Sequence, residues 1–400
     1  IRMSMRQHGV LTRLRALLWT GLAAGASACA SGWEPAFDEA APVGLFEHVA
    51  IADAETALTF ARVERVGARR VVAVTAYRDG VVRGVDLSSA LGRSVDDPLT
   101  LFNDLGYDGV RDAVRAAPAA AAIAVPASAL TLPIDLGAHH VAAATNFPEH
   151  AGDAGVEDGP FLFAKLVQPT GARAPVPAGA ALLDYEVEIA WVTLTPLTEG
   201  AEPEFLGLVL GNDFTDRDTL LRSLDPWDVA SGTGFATGKS FPGFLPIGDL
   251  FVIPRDHRRF AADLELRLYV NGALRQRAMA SEMVWDVDEI LRRTWAWKDR
   301  RWPHRGDYVT LLGGDCDVLA ERTLILSGTP HGTIFAGLRA RYYAGGLTSW
   351  LLGGWSTPIP SHVVAAYIAD ARASGAYLHP GDRVEIRVDR LGVIRNEVVQ

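Results

Sequence analysis

Cysteine is nearly absent from this chain of 400 residues, which has only Cys29 and Cys316. Two cysteines cannot form a disulfide framework, and the length is enough for two domains with sizeable cores. An excess of basic residues is also absent, because the formal net charge is −10. This balance argues against a nucleic-acid partner, since phosphate binding needs clustered lysine and arginine side chains.

Three signatures of common enzyme classes are missing as well. The sequence has no Gly-x-Ser-x-Gly elbow of a serine hydrolase, no Cys/His zinc spacing and no Gly-x-Gly-x-x-Gly dinucleotide fingerprint. Gly238-Lys239-Ser240 resembles the end of a phosphate-binding loop, but Thr233 stands where that loop needs glycine and Pro242 follows where a helix should begin. The lysine therefore requires another explanation.

The first 29 residues have the composition of an export signal. A basic start is followed by a short apolar run, and small residues precede Cys29. This ending is similar to a bacterial lipoprotein signal, although Ala26 stands where such signals usually have leucine. We predict an exported protein, membrane-anchored if Cys29 is lipidated. The alternatives are a plain cleaved signal and a cytoplasmic protein with a misassigned start; residues 30–42 are predicted to be a linker.

Strand-like runs alternate with glycine and proline turns along most of the chain, which predicts a mostly β fold with some α (α+β). Residues 43–136 are predicted to form a small strand-rich N-terminal domain, and residues 137–400 a second domain. The clearest predicted helices are 98–117, 216–223, 280–294 and 361–374, and the clearest strands are 183–194, 205–210, 264–270, 323–326 and 383–388.

Two predicted strands carry acidic residues at positions that favour a metal site. Glu186 and Glu188 are two residues apart, so in a strand both point to the same side. Asp213 follows the next strand, with Arg217 close behind it. Neighbouring carboxylates repel unless a cation lies between them, and hard divalent ions are bound in this way. The alternatives are a solvated acidic face on the first strand and an ordinary helix-capping turn after the second.

A histidine and a carboxylate, His150 and Asp153, form a further candidate pair. Three residues apart, they share a face of a helical turn. The carboxylate can then orient the imidazole and raise its basicity, which makes a general base. The alternative is a surface turn. The pair His139-His140 is interpreted as a surface or strand-end feature rather than a metal site.

Taken together, these motifs resemble the fumarylacetoacetate hydrolase family in their order and spacing. The resemblance covers about residues 141–338 and 376–400, and a small strand-rich segment before the main domain is also usual for that family. The matching segments are residues 146–150, 161–165, 183–190, 212–218, 238–241, 270–272, 327–332, 380–385 and 391–392.

The resemblance implies a β-roll catalytic domain, often dimeric, that acts on a small keto acid or diketone. It implies Mg²⁺ or Mn²⁺, with Ca²⁺ as an alternative, bound by three carboxylates. The implied reaction is hydrolysis of a carbon–carbon bond in a β-diketo acid or acylpyruvate through a metal-bound enolate. The implied residues are Glu186, Glu188 and Asp213 for the metal, His150, Asp153 and Lys239 for catalysis, and Arg217, Gly328 and Thr329 for the substrate.

Several positions depart from the family pattern. Asp153 stands where many relatives have glutamate, Leu220 where they often have glutamine, and Leu166 where proline usually follows Lys165. Residues 339–375 are predicted to be an insertion that serves as a lid, an interface or a surface excursion. The alternatives to hydrolysis are decarboxylation, hydration or tautomerisation of a 2-oxo acid at the same site, and a non-catalytic exported ligand-binding lipoprotein.

Overall fold

The secondary structure is described for residues 37, 39–65, 67–149, 159–179, 181–314 and 317–400 of a computed structural model. The strands are β1 Ala57–Arg65, β2 Ala68–Arg78, β3 Val81–Asp86, β4 Ala122–Pro126, β5 His140–Ala144, β6 Phe161–Lys165, β7 Val176–Pro177, β8 Leu183–Asp184, β9 Val187–Thr193, β10 Leu206–Asn212, β11 Thr215–Asp216, β12 Phe251–Pro254, β13 Glu265–Val270, β14 Ala273–Met279, β15 Trp302–His304, β16 Asp307–Val309, β17 Leu324–Leu326, β18 Arg383–Val388 and β19 Gly392–Val399. The α-helices are α1 Leu87–Leu91, α2 Pro98–Arg115, α3 Arg217–Ser223, α4 Phe235–Lys239, α5 His257–Ala262, α6 Val287–Ala296, α7 Ala340–Leu351 and α8 Ile359–Ser374.

A ten-stranded sheet is the largest element of the fold. Its strand order is β4-β3-β2-β1-β12-β10-β9-β17-β5-β6, and all neighbours run antiparallel except β17 and β5. The central strands β9 and β10 are buried along their whole length, on both faces. A strand buried on both faces loses the usual alternation of apolar and polar residues. An acidic residue within such a strand therefore needs a specific partner.

A five-stranded sheet of order β14-β13-β18-β19-β7 packs against the first, where β9 and β10 meet β13 and β19. The main hydrophobic core includes apolar side chains from both sheets, among them Ile189, Leu208, Leu266 and Ile386. Strands β14 and β18 of the five-stranded sheet alternate in burial, as expected for a sheet with one covered face. The mixed α+β fold predicted from the sequence is confirmed.

The N-terminal strands β1 to β4 belong to the same ten-stranded sheet as the strands that follow residue 136. The connection is the antiparallel pair β1 and β12, in which Phe60 lies opposite Phe251. These two rings also stack, with their centroids 6.3 Å apart. The backbone hydrogen bonds of the sheet thus continue across the domain boundary that the sequence predicts near residue 136.

The predicted helices 98–117, 216–223 and 361–374 correspond to α2, α3 and α8. The prediction of a helix over 280–294 is wrong for its N-terminal end. A single 3-10 turn covers Ala280–Glu282, and α6 starts only after Asp286. The Asp286 carboxylate accepts a hydrogen bond from the Glu289 N–H at 2.9 Å. Capping by this side chain sets the start of the helix, as aspartate at an N-cap commonly does.

The chain divides into two compact units. One comprises residues 36–337 and 368–400, and residues 338–367 are the described part of the other. This described part overlaps the predicted insertion 339–375 and contains α7, whose Tyr342 ring packs edge-on against Tyr367 at 5.2 Å. In the described part of the chain, no helix combines the length and apolarity needed to cross a membrane. The predicted signal over residues 1–29 lies outside the described residues.

Candidate metal centre

The three predicted metal-ligating carboxylates lie together because of the way β9 and β10 pair. The two strands are antiparallel with Gly211 opposite Glu188, so the beginning of β9 lies beside the end of β10. The backbone N–H of Asp213 donates to the carbonyl of Glu186 at 2.9 Å, just beyond the paired strands. One carboxylate oxygen from each of Glu186, Glu188 and Asp213 lies within 4.8 Å of the other two.

Glu188 is the least compensated member of this acidic triad. Its side chain is fully buried, and Oε2 accepts a hydrogen bond from the Gly328 N–H at 2.8 Å. Its other oxygen, Oε1, is buried without a hydrogen-bond partner among the described residues. Burial and the charges of Asp213 and Glu186 raise the pKa of Glu188 well above its usual value. A buried, unpartnered carboxylate oxygen is a strong indication that the triad is built for a cation.

Two buried cationic side chains, Lys239 and Arg217, donate hydrogen bonds to carboxylates of the triad. The Lys239 ammonium donates to Glu186 Oε2 at 2.7 Å and to Asp213 Oδ2 at 2.9 Å. Burial alone lowers the pKa of Lys239, but Asp213 and Glu186 outweigh that effect and raise it. The Arg217 guanidinium donates to Glu186 Oε1 at 2.7 Å and to Asp184 Oδ2 at 2.8 Å. Both side chains therefore remain charged at neutral pH.

A third buried cation, Lys165, lies at the end of β6. Its ammonium donates to Asp213 Oδ1, to the carbonyl of Lys239 and, at 2.9 Å, to the carbonyl of Phe244. Burial lowers the pKa of Lys165, although Asp213 opposes this effect. Lys165 thus connects the backbone that carries Lys239 to the carboxylate of Asp213.

Among the described side chains of this cluster, carboxylates are more numerous than cations. The carboxylates of Asp184, Glu186, Glu188 and Asp213 outnumber the cations Lys165, Lys239 and Arg217 by one. Buried charges are costly unless they are paired. A divalent cation next to Glu188 would reduce the repulsion between the three carboxylates and would give Oε1 of Glu188 a partner. The donor set is entirely oxygen, which fits Mg²⁺, Mn²⁺ or Ca²⁺ better than zinc or copper.

The predicted substrate residues Thr329 and Arg217 form hydrogen bonds within the protein, and their contact with a substrate stays a prediction. The Thr329 hydroxyl donates to the Val187 carbonyl at 3.0 Å and accepts from Gln276 Nε2 at 2.9 Å. Gln276 Oε1 in turn accepts from the Val187 N–H at 2.9 Å. Arg217 is likewise occupied by carboxylates. In this structure Thr329 and Arg217 hold the start of β9 and its glutamates in place.

The predicted general base and its partner, His150 and Asp153, lie outside the described residues, so their pairing stays a prediction. His140 is described, and it begins β5. It is fully buried, where desolvation lowers its pKa to about 3, and its Nδ1 accepts from the Leu324 N–H at 3.1 Å. It is a strand-end residue, as the sequence suggests, but not a surface residue.

Sequence reasoning did not assign roles to Asp184 and Lys165, and a simple signal points to the lysine. The chain has only three lysines, Lys165, Lys239 and Lys298, and the first ends the apolar strand Phe161–Lys165. A lysine at the end of a fully buried strand is expected to pair with a buried carboxylate, because an unpaired buried charge is costly. No such feature of the sequence points to Asp184. Besides Arg217, it accepts from the N–H groups of Ile334 and Phe335, which lie 150 and 151 residues further along the chain.

Gly328 positions Glu188 in a way that alanine cannot reproduce. Its φ is 79°, and a Cβ there would lie 3.0 Å from Asn146 Cβ and 3.1 Å from the Ala143 carbonyl oxygen. Gly272 has the same φ with nothing within 4 Å of a Cβ, which makes it a matched control. We expect Gly272→Ala to cost about 1 kcal/mol of backbone strain and Gly328→Ala about 2 kcal/mol more from the clash. Chemical denaturation measures both, and equal costs would contradict this packing.

Comparison with known proteins places these observations in context. Residues 139–399 match a family model described as the fumarylacetoacetate (FAA) hydrolase C-terminal region. An oxaloacetate decarboxylase of Dictyostelium discoideum is 28% identical over 213 residues, which cover 50% of this chain and 84% of that protein. An oxaloacetate tautomerase of Oryza sativa subsp. japonica is 29% identical over 195 residues, covering 47% of this chain and 76% of that protein.

Among solved structures, maleylpyruvate hydrolase from Sphingobium sp. SYK-6, in complex with manganese(II) ion and pyruvate, has a similar fold. It aligns with a TM-score of 0.53 and 19% sequence identity, over 86% of this chain and 99% of that one. At this identity the likeness shows the fold alone. It extends beyond residues 139–399, however, and so includes part of the N-terminal strands.

Proposed function

This chain belongs to the fumarylacetoacetate hydrolase family, and from that premise we propose that it is a divalent-metal-dependent enzyme that hydrolyses a carbon–carbon bond in a small β-diketo acid of the acylpyruvate type. One observation carries the proposal. The carboxylates Glu186, Glu188 and Asp213 converge in a buried cluster, and Oε1 of Glu188 is buried there without a hydrogen-bond partner among the described residues. A protein that needed these residues only for its fold would gain by replacing them with apolar side chains.

Glu186, Glu188 and Asp213 would hold Mg²⁺ or Mn²⁺, with Ca²⁺ as the other hard cation that suits oxygen ligands. When bound, such an ion supplies Lewis acidity to the oxygens of a 2-oxo acid or 1,3-dicarbonyl. Arg217 fixes Glu186 through a charge-assisted hydrogen bond, and Gly328 fixes Glu188. Ligand positions set by such contacts need no rearrangement before the substrate binds.

Lys239 is the residue best placed to stabilise charge that develops on the substrate. Its ammonium is buried and bonded to two members of the triad. Because its pKa is raised, it remains protonated at neutral pH, when negative charge moves onto the substrate oxygens as the carbon–carbon bond breaks. A fixed cation in a buried site stabilises such charge much more than one in water does.

Hydrolysis also needs a group that takes a proton from the attacking water, and we assign this role to His150, oriented by Asp153. The His150→Ala variant should lower turnover of an acylpyruvate by about 10²–10⁴-fold, as is typical of a lost general base, while Mn²⁺ affinity stays unchanged. His48→Ala, in the N-terminal part of the chain, is the control. Steady-state kinetics and Mn²⁺ titration make the comparison, and unchanged turnover in His150→Ala would refute the assignment.

A second function, tautomerisation or decarboxylation of a 2-oxo acid such as oxaloacetate, is favoured by the names of the two relatives at 28% and 29% identity. Neither reaction requires an attacking water, so neither depends on a water-activating base. Assays with acetylpyruvate, fumarylacetoacetate and oxaloacetate, each with Mn²⁺ and with chelator, distinguish the candidates. The hydrolase proposal expects metal-dependent cleavage of a diketo acid. Turnover of oxaloacetate alone would replace it with the second function, and no turnover would overturn both.

Export through residues 1–29, lipidation of Cys29 and a homodimeric state remain further proposals, supported by the sequence pattern and the family resemblance. Fractionation of cells producing wild type and Cys29→Ser tests the first two. Membrane-bound wild type and released variant would support lipidation, whereas a cytoplasmic location of both would exclude export. Light scattering of the purified protein gives the oligomeric state, and a monomer would contradict the third proposal.

A further inference from the structure

A cavity of about 690 Å³ lies outside the acidic site, and none of the triad or its cations contributes to its wall. This volume is within the range of small-molecule binding sites. Aromatic rings and guanidinium groups dominate the wall, and most come from α6 and the segment that follows it. The side chains that matter are Trp285, Trp297, Trp302, Arg293, Arg300 and Arg301.

The charge of this wall is positive. Arg293 is neutralised by Glu289, to which its Nε donates at 2.7 Å. Within the described part of the chain, neither Arg300 nor Arg301 forms a hydrogen bond or ion pair with a carboxylate. The only carboxylate among the described residues of the wall is that of Asp228, which is exposed. Two guanidinium groups against one carboxylate leave an excess of positive charge, which favours an anionic ligand.

Two of the three wall arginines, Arg300 and Arg293, are held against aromatic faces. The guanidinium carbon of Arg300 lies 3.6 Å from the Trp297 ring centroid, and that of Arg293 lies 4.8 Å from the Trp285 centroid. A guanidinium stacked on a ring keeps its N–H edge available, and that edge matches the two oxygens of a carboxylate. Stacking also reduces the side-chain entropy that would be lost on binding.

Two buried aromatic rings, those of Trp302 and Phe161, complete the aromatic part of the wall. Trp302 is buried, and its Nε1 donates to the carbonyl of Ser231 at 2.7 Å, which fixes the ring. Phe161 is also buried and packs edge-on against Phe235 at 4.9 Å. Aromatic walls of this kind favour a planar, unsaturated body over a branched one.

The strand β6 relates the cavity to the metal centre. Phe161, Phe163 and Lys165 alternate along one face of it. Phe161 lines the cavity, the Phe163 ring lies 5.7 Å from Lys239 Nζ, and Lys165 contacts Asp213. The strand thus runs from the cavity wall to the metal centre, but no residue of the triad and none of the cations bonded to it lines the cavity.

We propose that the cavity is a second binding site, specific for a small planar carboxylate such as an aromatic acid. The N–H edges of Arg300 and Arg301 bind the carboxylate, and the rings of Trp297, Trp302 and Phe161 enclose the planar body. The proposal is independent of the reaction at the triad, because none of its groups is shared with that site.

The test is to titrate benzoate, benzamide and inorganic phosphate, each separately, into the full chain in the presence of a chelator. Calorimetry and tryptophan fluorescence measure the binding. Benzoate should bind and change the fluorescence, whereas uncharged benzamide and non-planar phosphate should each bind at least about tenfold more weakly. Arg300→Gln and Arg301→Gln should each weaken benzoate binding about tenfold, the equivalent of 1.4 kcal/mol. Arg292→Gln is the matched control, because Arg292 is an exposed arginine of α6 outside the wall.

Each outcome decides the proposal. Binding of benzoate to Glu188→Gln as tightly as to wild type supports a site separate from the metal centre, whether or not the protein proves to be a hydrolase. Failure of benzoate to bind at millimolar concentration would overturn the proposal. Phosphate binding as tight as benzoate binding would exclude the planar class, and unchanged affinity in both arginine variants would place the ligand elsewhere.

Discussion

Glu188→Gln is expected to abolish the stabilisation that Mn²⁺ gives to the wild-type protein and, at the same time, to stabilise the metal-free protein. Glutamine has nearly the same shape, and its carbonyl can still accept the Gly328 N–H. The substitution removes one of three crowded negative charges, whose mutual repulsion and burial raise the pKa of Glu188. It also removes the ligand with the unpartnered oxygen.

Thermal unfolding with and without Mn²⁺ measures both effects. A ligand at about a hundred times its Kd stabilises a folded protein by about 2.7 kcal/mol, and the variant should lose this increment. Glu64→Gln, an exposed glutamate at the end of β1, should behave as wild type in both conditions. Full retention of the Mn²⁺ effect in Glu188→Gln would show that Glu188 is not a ligand.

Lys165→Met is expected to be the most destabilising single substitution in the cluster, at about 3–5 kcal/mol. Methionine fills a similar volume but leaves Asp213 and the carbonyls of Lys239 and Phe244 without their shared donor. Removing one partner of a buried ion pair costs more than the pair contributes, because the remaining charge is then buried alone.

Lys298→Met is the matched control, since Lys298 is the one lysine outside the cluster. It forms ion pairs with the exposed carboxylates of Glu199 and Asp317, and exposed pairs contribute about 0–1 kcal/mol. Urea denaturation of the metal-free proteins compares the free energies of unfolding. If Lys165→Met does not fold, Lys165→Arg should recover part of the stability, since it restores the charge. Equal costs for Lys165→Met and Lys298→Met would contradict the buried network.

The acidic triad could be predicted because its geometry follows from local rules. Residues two apart in an extended segment share a face, and a residue at a strand end can turn inward. The convergence of Glu186 just before β9, Glu188 within it and Asp213 just after β10 could therefore be predicted from the sequence. Burial could not be predicted. The strand carrying Glu188 is covered on both faces, and that follows only from its central place in a ten-stranded sheet.

The partners of the triad could not be predicted, because they depend on pairings across long stretches of chain. Lys165 donates to Asp213 across 48 residues, and the Gly328 N–H donates to Glu188 across 140. Thr329 stays a predicted substrate residue, but the bonds of its hydroxyl to the backbone of Val187 and to Gln276 could not be predicted. The same residue types can hold the strand that carries the metal ligands or contact a substrate. Only the hydrogen-bond partners distinguish the two roles.

The central claim is that Glu186, Glu188 and Asp213 form one site for a hard divalent cation. Calorimetric titration of the chelator-treated protein with Mn²⁺ tests it most directly, using wild type, Glu186→Gln, Asp213→Asn and the control Glu64→Gln. We predict one Mn²⁺ per chain for wild type and control, and no measurable binding for the two triad variants. Binding to Glu186→Gln and Asp213→Asn with wild-type affinity would contradict the claim, and the proposed enzyme function would fall with it.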